Sequence, residues 1–315
     1  MYKSISIIIP TYNRPRELKK LLASIVRQNF PSFEVIVCDD FSDWSNRKEN
    51  QKTCQFLRNK IDISYFCNPK RLGAPYSRNQ GIKRAKYNLL CLTDDDDEWE
   101  FDKLQQQIIF FNAKKRENIG LCYTWAKVVY RNGEVKYWRP EVSGFCERQL
   151  LKNNFVPSSS VMIKKECFNK VGLFDESLHS CQDWDMWLRI SKYFAFGFIP
   201  KFLIINNKLS ENSISLSSKA VLGYRNFLKK HKTLFIEYNM QKEYYSHIKY
   251  TLSQYIIQKR FKELKDYLNY LKKTENKLFI FILSRLFFIN YFICFFKRII
   301  NAVGSKQRYY SKTIY

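Results

Sequence analysis

The sequence lacks the cysteine and glycine patterns that mark several large classes of protein. Its nine cysteines are scattered, with no C-x-x-C pair and no cysteine–histidine cluster, so no zinc-binding group stands out. It contains neither G-x-G-x-x-G nor G-x-x-x-x-G-K-[ST], so a dinucleotide oxidoreductase or a P-loop nucleotidase fits poorly. An odd number of unpaired cysteines, and a strand-like segment from Ser4 with no signal peptide before it, predict a cytoplasmic protein with reduced thiols.

Acidic residues are few relative to basic ones. The 315 residues include 29 Asp and Glu against 54 Lys and Arg, which gives a net charge of +25. This excess predicts a polyanionic partner: nucleic acid, a phosphorylated substrate or an anionic membrane surface. Residues 201–315 alone hold 22 basic and 6 acidic side chains, so the chain divides into an ordinary first part and a basic, aromatic last third.

Short apolar runs that end in polar residues predict four strands in the first hundred residues. The runs are Ser4–Pro10, Phe33–Cys38, Ile61–Phe66 and Tyr87–Leu92, with helical patterns beginning at Pro15 and Ala74. Strands that alternate with helices predict an α/β fold, with a mostly parallel sheet flanked by helices. Polar groups follow three of these strands at Thr11, Asp39 and Asp94, so the ligand crevice is expected at the carboxyl edge of the sheet.

Four consecutive aspartates, Asp94–Asp97, directly follow the fourth predicted strand. Adjacent carboxylates repel one another, and a fold tolerates them where a cation or solvent neutralises their charge. Alternate side chains of an extended chain point to one side, so Asp94 and Asp96 are expected to face the same ligand. Magnesium or manganese suits such oxygen ligands and bridges diphosphates. A solvated acidic loop before a helix is the alternative.

Two further aspartates are candidates for contact with substrates. Asp39 ends a strand, where its carboxylate is placed to accept from a uracil N–H; an Asx turn or a helix cap is the alternative. Asp183 opens a helix whose tryptophans face inward, which suits a general base; the alternative is a helix N-cap. Asp185 is interpreted instead as the surface partner of Arg189, four residues later.

Two arginines precede the acidic run. Arg71 lies in the predicted loop before it, and Arg78 lies in the predicted helix. Their forked donors suit a diphosphate, and a surface role for Arg71 is the alternative.

In this order, the motifs resemble those of the family 2 glycosyltransferases, whose catalytic domain has the GT-A fold. The matching segments are Ile7–Arg14, Val37–Ser42, Ser77–Gly81, Asp94–Trp99, Val171–Glu176 and Gln182–Asp185. They extend over about residues 3–205. The resemblance implies a GT-A-type catalytic domain over residues 1–207, with a nucleotide-binding half at about 1–100 and an acceptor half at about 101–207.

The resemblance also implies roles for individual residues. Asp94 and Asp96 would hold Mn²⁺ or Mg²⁺, and Asp183 would deprotonate the acceptor hydroxyl. The residues implied to bind the nucleotide-sugar donor are Pro10, Thr11, Asn13, Arg14, Asp39, Arg71, Arg78, Asp94 and Asp95. Three positions depart from the family pattern: Phe41 replaces a glycine, Arg71 an asparagine, and Gln182 the glutamate before the base.

These roles predict an inverting, metal-dependent hexosyltransferase. One base on the acceptor and a Lewis acid on the leaving diphosphate suffice for a single displacement, which inverts the anomeric carbon. The expected donor is a nucleotide sugar, UDP-hexose first, and the expected acceptor is a glycan or lipid-linked sugar in bacterial surface-polysaccharide synthesis. The alternatives are a metal-dependent nucleotidyltransferase and a nucleic-acid-binding protein. Because the acidic run would repel a phosphate backbone, no nucleic-acid partner is expected.

The last third predicts attachment to a membrane surface. A mobile loop rich in serine and asparagine is expected over residues 208–219, followed by a helical, basic and aromatic region over 220–315. Residues 278–296 are apolar and aromatic, but Arg285 near their middle makes a spanning helix costly. A helix in the membrane plane, with basic flanks on anionic lipid, predicts a peripheral enzyme on the inner face of the cytoplasmic membrane. Packing of this helix on the catalytic domain is the alternative.

Overall fold

The computed structural model describes residues 2–208 and 218–275. The chain divides into two compact units, Met1–Tyr244 and Tyr245–Tyr315. The loop predicted over 208–219, apart from its ends, and the membrane segment predicted over 278–296 lie outside the described residues. Among the helices of the described part, none is long and apolar enough to cross a bilayer.

Strands and helices alternate through most of the first unit. Its elements are β1 (Ile5–Thr11), α1 (Pro15–Val26), β2 (Phe33–Asp39), α2 (Trp44–Leu57), β3 (Asp62–Cys67), α3 (Ala74–Arg84), β4 (Leu89–Leu92), β5 (Glu98–Trp99), α4 (Lys103–Ala113), β6 (Ile119–Tyr130), β7 (Val135–Trp138), α5 (Glu147–Lys152), β8 (Met162–Lys164), α6 (Lys165–Val171), α7 (Gln182–Ser191), β9 (Ala195–Lys208) and α8 (Ser218–Glu237). The division between the units falls within α9 (Gln241–Ile257), and α10 (Phe261–Thr274) lies in the second unit.

One sheet contains these strands, in the order β3-β2-β1-β4-β8-β6-β9-β5, with β7 paired to β6 off this path. The four strands predicted from the sequence, β1 to β4, run parallel. The second half of the sheet is mixed, because β8 runs antiparallel to both β4 and β6 while β6 and β9 are parallel. The α/β fold with helices around its sheet is therefore confirmed, and its parallel part coincides with the half expected to bind the nucleotide.

β1 lies at the centre of the parallel part, which explains its composition. All seven of its residues are buried, as expected for a strand of a parallel sheet covered on both faces. Its pairing with β4 ends at Ile8, whereas its pairing with β2 continues to Thr11. Pro10, which has no N–H to donate, is therefore placed beyond the last residue that pairs with β4.

A close approach of α3 to the sheet fixes the position of that helix. A Cβ atom added at Gly81 would lie 2.4 Å from Cγ2 of Ile8, so only glycine lets α3 pack this closely on β1. The same helix carries Arg78, three residues earlier, toward the carboxyl edge of the sheet.

A buried ion cluster joins α7 to α8. Oδ1 of Asp185 lies 2.8 Å from Nζ of Lys230 and 2.8 Å from Nε2 of His231, and Oδ2 accepts from Nε of Arg189 at 2.9 Å. Burial alone would raise the pKa of Asp185, but the hydrogen bond from His231 and the charges of Arg189 and Lys230 lower it to about 2. The predicted Asp185–Arg189 pair therefore exists, but its description as a surface pair is wrong, because α8 covers it.

In the described part of the second unit, α10 presents one apolar face. In α10 the buried residues are Leu264, Tyr267 and Leu271, at helical spacing. Tyr255, near the end of α9, packs against Tyr267 with ring centroids 6.2 Å apart.

Candidate active site

The four aspartates form the turn between β4 and β5, at the carboxyl edge of the sheet. The turn is held at its far side by β9, because Glu98 of β5 pairs with Ile205. Asp97 points into this junction, where its carboxylate accepts from the Asn206 side chain at 3.2 Å and from the Asn207 backbone N–H at 3.3 Å. Burial, and then its acidic neighbours, raise the pKa of Asp97 well above the usual range. Asp97 therefore serves to shape the turn.

Two guanidinium groups balance the charge of the turn. Nη1 of Arg14 lies 3.1 Å from Asp95 and 2.8 Å from Asp96, and Nη2 of Arg78 lies 2.5 Å from Asp94. Burial raises the pKa of Asp95 to about 7, although the charge of Arg14 opposes this shift. Burial, followed by the charge of Asp94, also raises the pKa of Asp96. Additional positive charge at the turn would therefore stabilise the ionised form of these carboxylates.

Asp94 and Asp96 have the chemistry and exposure that a divalent cation requires. Their side chains are 37% and 24% exposed, respectively. In the part of the chain that the structure describes, no group of three or more His, Cys, Asp or Glu side chains is arranged to hold a metal ion alone. Because Mg²⁺ takes about six oxygen ligands, phosphate and water would complete the shell. The two carboxylates therefore fit a cation that is bound together with a diphosphate.

Two residues predicted to bind the nucleotide, Thr11 and Asp39, lie at the ends of β1 and β2. Thr11 donates its hydroxyl hydrogen to Asp95 at 2.7 Å, which ties β1 to the acidic turn. Asp39 is fully buried; its Oδ1 accepts from the Ser42 N–H at 2.6 Å, and its Oδ2 accepts from Tyr65 at 2.6 Å and Asn50 at 2.9 Å. A carboxylate oxygen can accept about two hydrogen bonds, so Oδ1 retains capacity for one more.

Asn13 and Arg71, also predicted to bind the donor, lie on either side of Tyr12. Asn13 has a left-handed backbone with φ 54° and joins two loops: its side chain donates to Asp43 at 2.9 Å, and its N–H donates to Ser42 at 2.9 Å. The Arg71 guanidinium lies over the Tyr12 ring, 4.1 Å from its centroid. Asn13 thus organises the loop after β1, and Arg71 with Tyr12 forms a cationic, aromatic wall beside it.

Asp183 lies in the first turn of α7, as predicted. Its Oδ1 accepts from the Trp184 N–H at 2.8 Å, and its Oδ2 accepts from the Asn154 side chain at 3.1 Å. Burial raises the pKa of Asp183, while the Trp184 N–H and the charge of Arg78 oppose the shift. A carboxylate with a raised pKa beside polar partners is well suited to accept a proton.

A short segment, residues 154–159, connects this carboxylate to the acidic turn. Asn154 at its beginning donates to Asp183, and the hydroxyl of Ser159 at its end accepts from the Asp94 N–H at 2.9 Å. The structure therefore brings the acidic turn, the two arginines and Asp183 to one side of the first unit.

Sequence reasoning did not identify Asn154, Ser159, Asn206 and Asn207. Each holds Asp183 or a residue of the acidic turn through a hydrogen bond across more than 25 positions of sequence. The only local signal was the occurrence of two asparagines at the end of a long apolar run, which marks a strand end and does not indicate its partner.

The model of the family described as "Glycosyl transferase family 2" matches residues 6–172. The putative colanic acid biosynthesis glycosyl transferase WcaA of Escherichia coli is 30% identical over 244 residues, covering 73% of this chain and 82% of its own.

Two solved structures share the fold. S. aureus TarS 1–349 in complex with UDP aligns with TM-score 0.56 and 22% identity, covering 71% of this chain and 64% of its own, so the match spans less than two thirds of that protein. The mannosyltransferase PcManGT from Pyrobaculum calidifontis, in complex with GDP-Man and Mn²⁺, aligns with TM-score 0.60 and 14% identity, covering 90% of this chain and 79% of its own. At these identities the likeness shows the fold alone, and it confirms the expected GT-A type.

Proposed function

The chain belongs to the family 2 glycosyltransferases, and we propose that it transfers a hexose from UDP to a glycan or lipid-linked acceptor in bacterial surface-polysaccharide synthesis. The observation that carries this proposal is the connection of the acidic turn to Asp183 through residues 154–159. Such an arrangement presents a diphosphate site and a proton acceptor to the same reacting centre. The similarity to the putative colanic acid biosynthesis glycosyl transferase WcaA supports the pathway, and the UDP complex of TarS supports the nucleotide.

The donor would bind along the carboxyl edge of the sheet. The base would lie at the ends of β1 and β2, against Tyr12 and Arg71, where Oδ1 of Asp39 accepts from the uracil N–H. The diphosphate would extend toward the acidic turn, where the guanidinium groups of Arg14 and Arg78 neutralise its charge. Pro10 and Thr11 at the end of β1, with Asp95 bound to Thr11, would shape the floor of this site.

Asp94 and Asp96 would hold Mn²⁺ or Mg²⁺. When bound, the cation would act as a Lewis acid that stabilises the negative charge of the leaving diphosphate. Support comes from the exposed carboxylates of the turn and from the Mn²⁺ complex of the mannosyltransferase with the same fold.

Asp183 would act as the base. Its Oδ2, oriented by Asn154, would accept the proton of the acceptor hydroxyl as that oxygen attacks the anomeric carbon. Attack from the side opposite to the leaving diphosphate inverts the anomeric carbon in one step, without a covalent sugar intermediate. In this proposal no second carboxylate acts as nucleophile.

UDP release tests this function. Purified full-length chain would be incubated with UDP-glucose, UDP-galactose, UDP-N-acetylglucosamine or GDP-mannose, together with Mn²⁺ and a panel of simple pyranosides. We expect UDP release from at least one UDP-sugar, and loss of this release with excess chelator and in the Asp96→Ala variant. Release of GDP from GDP-mannose, without release of UDP from any UDP-sugar, would contradict the proposed nucleotide. Activity that persists in excess chelator would contradict the proposed metal.

The C-terminal region is proposed to attach the enzyme to the inner face of the cytoplasmic membrane. Support comes from sequence alone: the aromatic run over 278–296 and its basic flanks. Vesicle flotation of the full chain, described in the Discussion, tests this part separately from catalysis.

A further inference from the structure

The hairpin of β6 and β7 carries a partly exposed tryptophan that is bound to the segment holding the candidate base. Trp138, the last residue of β7, pairs with Ala126 of β6. Its indole N–H donates to the backbone carbonyl of Phe155 at 2.9 Å, while 44% of the residue stays exposed. One edge of the indole is thus fixed to the protein, and much of the remaining surface is open to solvent.

The anchor of this indole adjoins the anchor of the base. Phe155 accepts from Trp138, and the preceding residue, Asn154, donates to Oδ2 of Asp183. A single peptide unit therefore separates the contact to the indole from the contact to the carboxylate. The indole and the candidate base are thus held by neighbouring residues of one segment.

The surroundings of Trp138 are rigid. Phe155 is buried and packs against Tyr123 with ring centroids 5.8 Å apart. The Tyr123 hydroxyl donates to the carbonyl of Val142 at 2.7 Å and accepts from its N–H at 2.9 Å, which fixes the loop that follows Trp138. Because these protein groups are already ordered, they lose little conformational entropy when a ligand stacks on the indole.

A pyranose ring has the complementary chemistry. It carries C–H groups on its faces and hydroxyls at its rim, so an open indole face covers its apolar side while polar groups remain free to pair. The N–H bond to Phe155 explains how Trp138 is anchored, but it does not require that nearly half of the residue stay exposed. A sugar that stacked there would bring its rim hydroxyls toward Asp183.

We propose that Trp138 is the stacking platform of the acceptor subsite, and that this subsite takes a neutral pyranoside. This inference rests on the proposed function, because it assigns the acceptor side of the same site. It adds a residue between 101 and 207 that binds substrate without taking part in proton transfer.

Saturation-transfer NMR on the full-length chain with UDP present tests the subsite. The probes are methyl glycosides of glucose, galactose, mannose and N-acetylglucosamine. The variants are Trp138→Ala, Trp138→Phe and the control Trp44→Ala, which removes a tryptophan that is 73% exposed on α2. Unfolding curves of each variant establish that it folds.

We expect saturation of ring C–H protons of at least one glycoside by the wild-type chain, and the same signal with Trp44→Ala. Trp138→Ala should weaken binding about 3- to 10-fold, the range for loss of one aromatic stacking contact. Trp138→Phe should keep most of the affinity, because it retains a ring and loses only the bond to Phe155. If Trp138→Ala does not fold, the Trp138→Phe variant decides. Loss of detectable glycoside binding in this folded variant would refute stacking.

Two outcomes would overturn the proposal: no glycoside signal with the wild-type chain, or equal signals with wild type and Trp138→Ala. Hydrolysis of UDP-sugars by the wild-type chain, measured on the same samples, separates this failure from a failure of the proposed function. Hydrolysis without a Trp138-dependent glycoside signal would remove only the subsite. Absence of binding and hydrolysis with every UDP-sugar would remove the proposed function as well.

Discussion

Replacing Asp185 by asparagine should destabilise the first unit strongly. The carboxylate is fully buried and contacts Arg189, Lys230 and His231. A pKa displaced from 3.8 to about 2 corresponds to about 2 kcal/mol of preference for the charged form in the folded chain. The neutral amide of the variant would also leave Lys230 and Arg189 without their shared anion. Breaking a buried pair in this way typically costs about 3–5 kcal/mol, and we expect a loss in that range at pH 7.

The pH dependence of this loss has a defined sign. Because the folded state lowers the pKa of Asp185, its stabilising effect is complete above about pH 4 and disappears as the pH falls toward about 2. The difference in free energy of unfolding between wild type and Asp185→Asn should therefore shrink by about 1 kcal/mol between pH 7 and pH 3. Urea unfolding followed by tryptophan fluorescence measures this difference at each pH.

A matched control is the exposed pair of Lys114 and Glu117, whose charged atoms lie 2.7 Å apart. Glu117→Gln should cost no more than about 0.5 kcal/mol, since exposed pairs contribute little. A cost below about 1 kcal/mol for Asp185→Asn at pH 7, or a cost that stays constant down to pH 3, would refute the view that this anion holds α7 to α8.

Three further predictions concern catalysis and location. Asp183→Asn should lower turnover by about 10²–10⁴-fold with little change in donor affinity, measured by calorimetry with UDP; collapse of UDP binding would instead place Asp183 in the donor site. Asp96→Ala should abolish sugar transfer without lowering the unfolding midpoint, and it should abolish the Mn²⁺ binding that electron paramagnetic resonance measures. Undiminished Mn²⁺ binding would contradict the role of Asp96 as a ligand. Truncation after Thr274 should release the chain from anionic vesicles in flotation at low salt, and the truncated chain should remain active on a soluble acceptor. Equal recovery of the full-length and truncated chains in the lipid-free fraction would exclude membrane attachment. An inactive, insoluble truncated chain would favour a helix packed on the catalytic domain.

The parallel half of the fold was predictable because its information is local. β1 and β2 are mostly apolar runs, each buried along its whole length and each ending in a polar residue, Thr11 or Asp39, at the edge of the sheet. Buried parallel strands require this pattern, so their existence and approximate ends follow from sequence. The second half depends on pairing between distant segments. β5 is two residues long, and its pairing with β9, more than a hundred positions later, leaves no local pattern.

The candidate site shows the same limit. The aspartates of the acidic turn are visible as a run of like charge, and the sequence indicates that something must neutralise them. That Arg14 neutralises Asp95 and Asp96 is decided by how the loop after β1 folds over the turn, which involves the left-handed backbone of Asn13. The burial of Asp185 was missed because α8, which covers it, begins more than thirty residues later.

The segment of residues 154–159 has a consequence for how this enzyme can be altered. Its ends touch Asp94 and Asp183, and its second residue supports Trp138. In the proposed site, an exchange of residues inside this segment would change donor use, proton transfer and acceptor choice in one event. Libraries designed to alter acceptor preference alone should leave it intact and vary the loop between Arg139 and Phe145. Natural variation that alters the segment should carry compensating changes near the acidic turn.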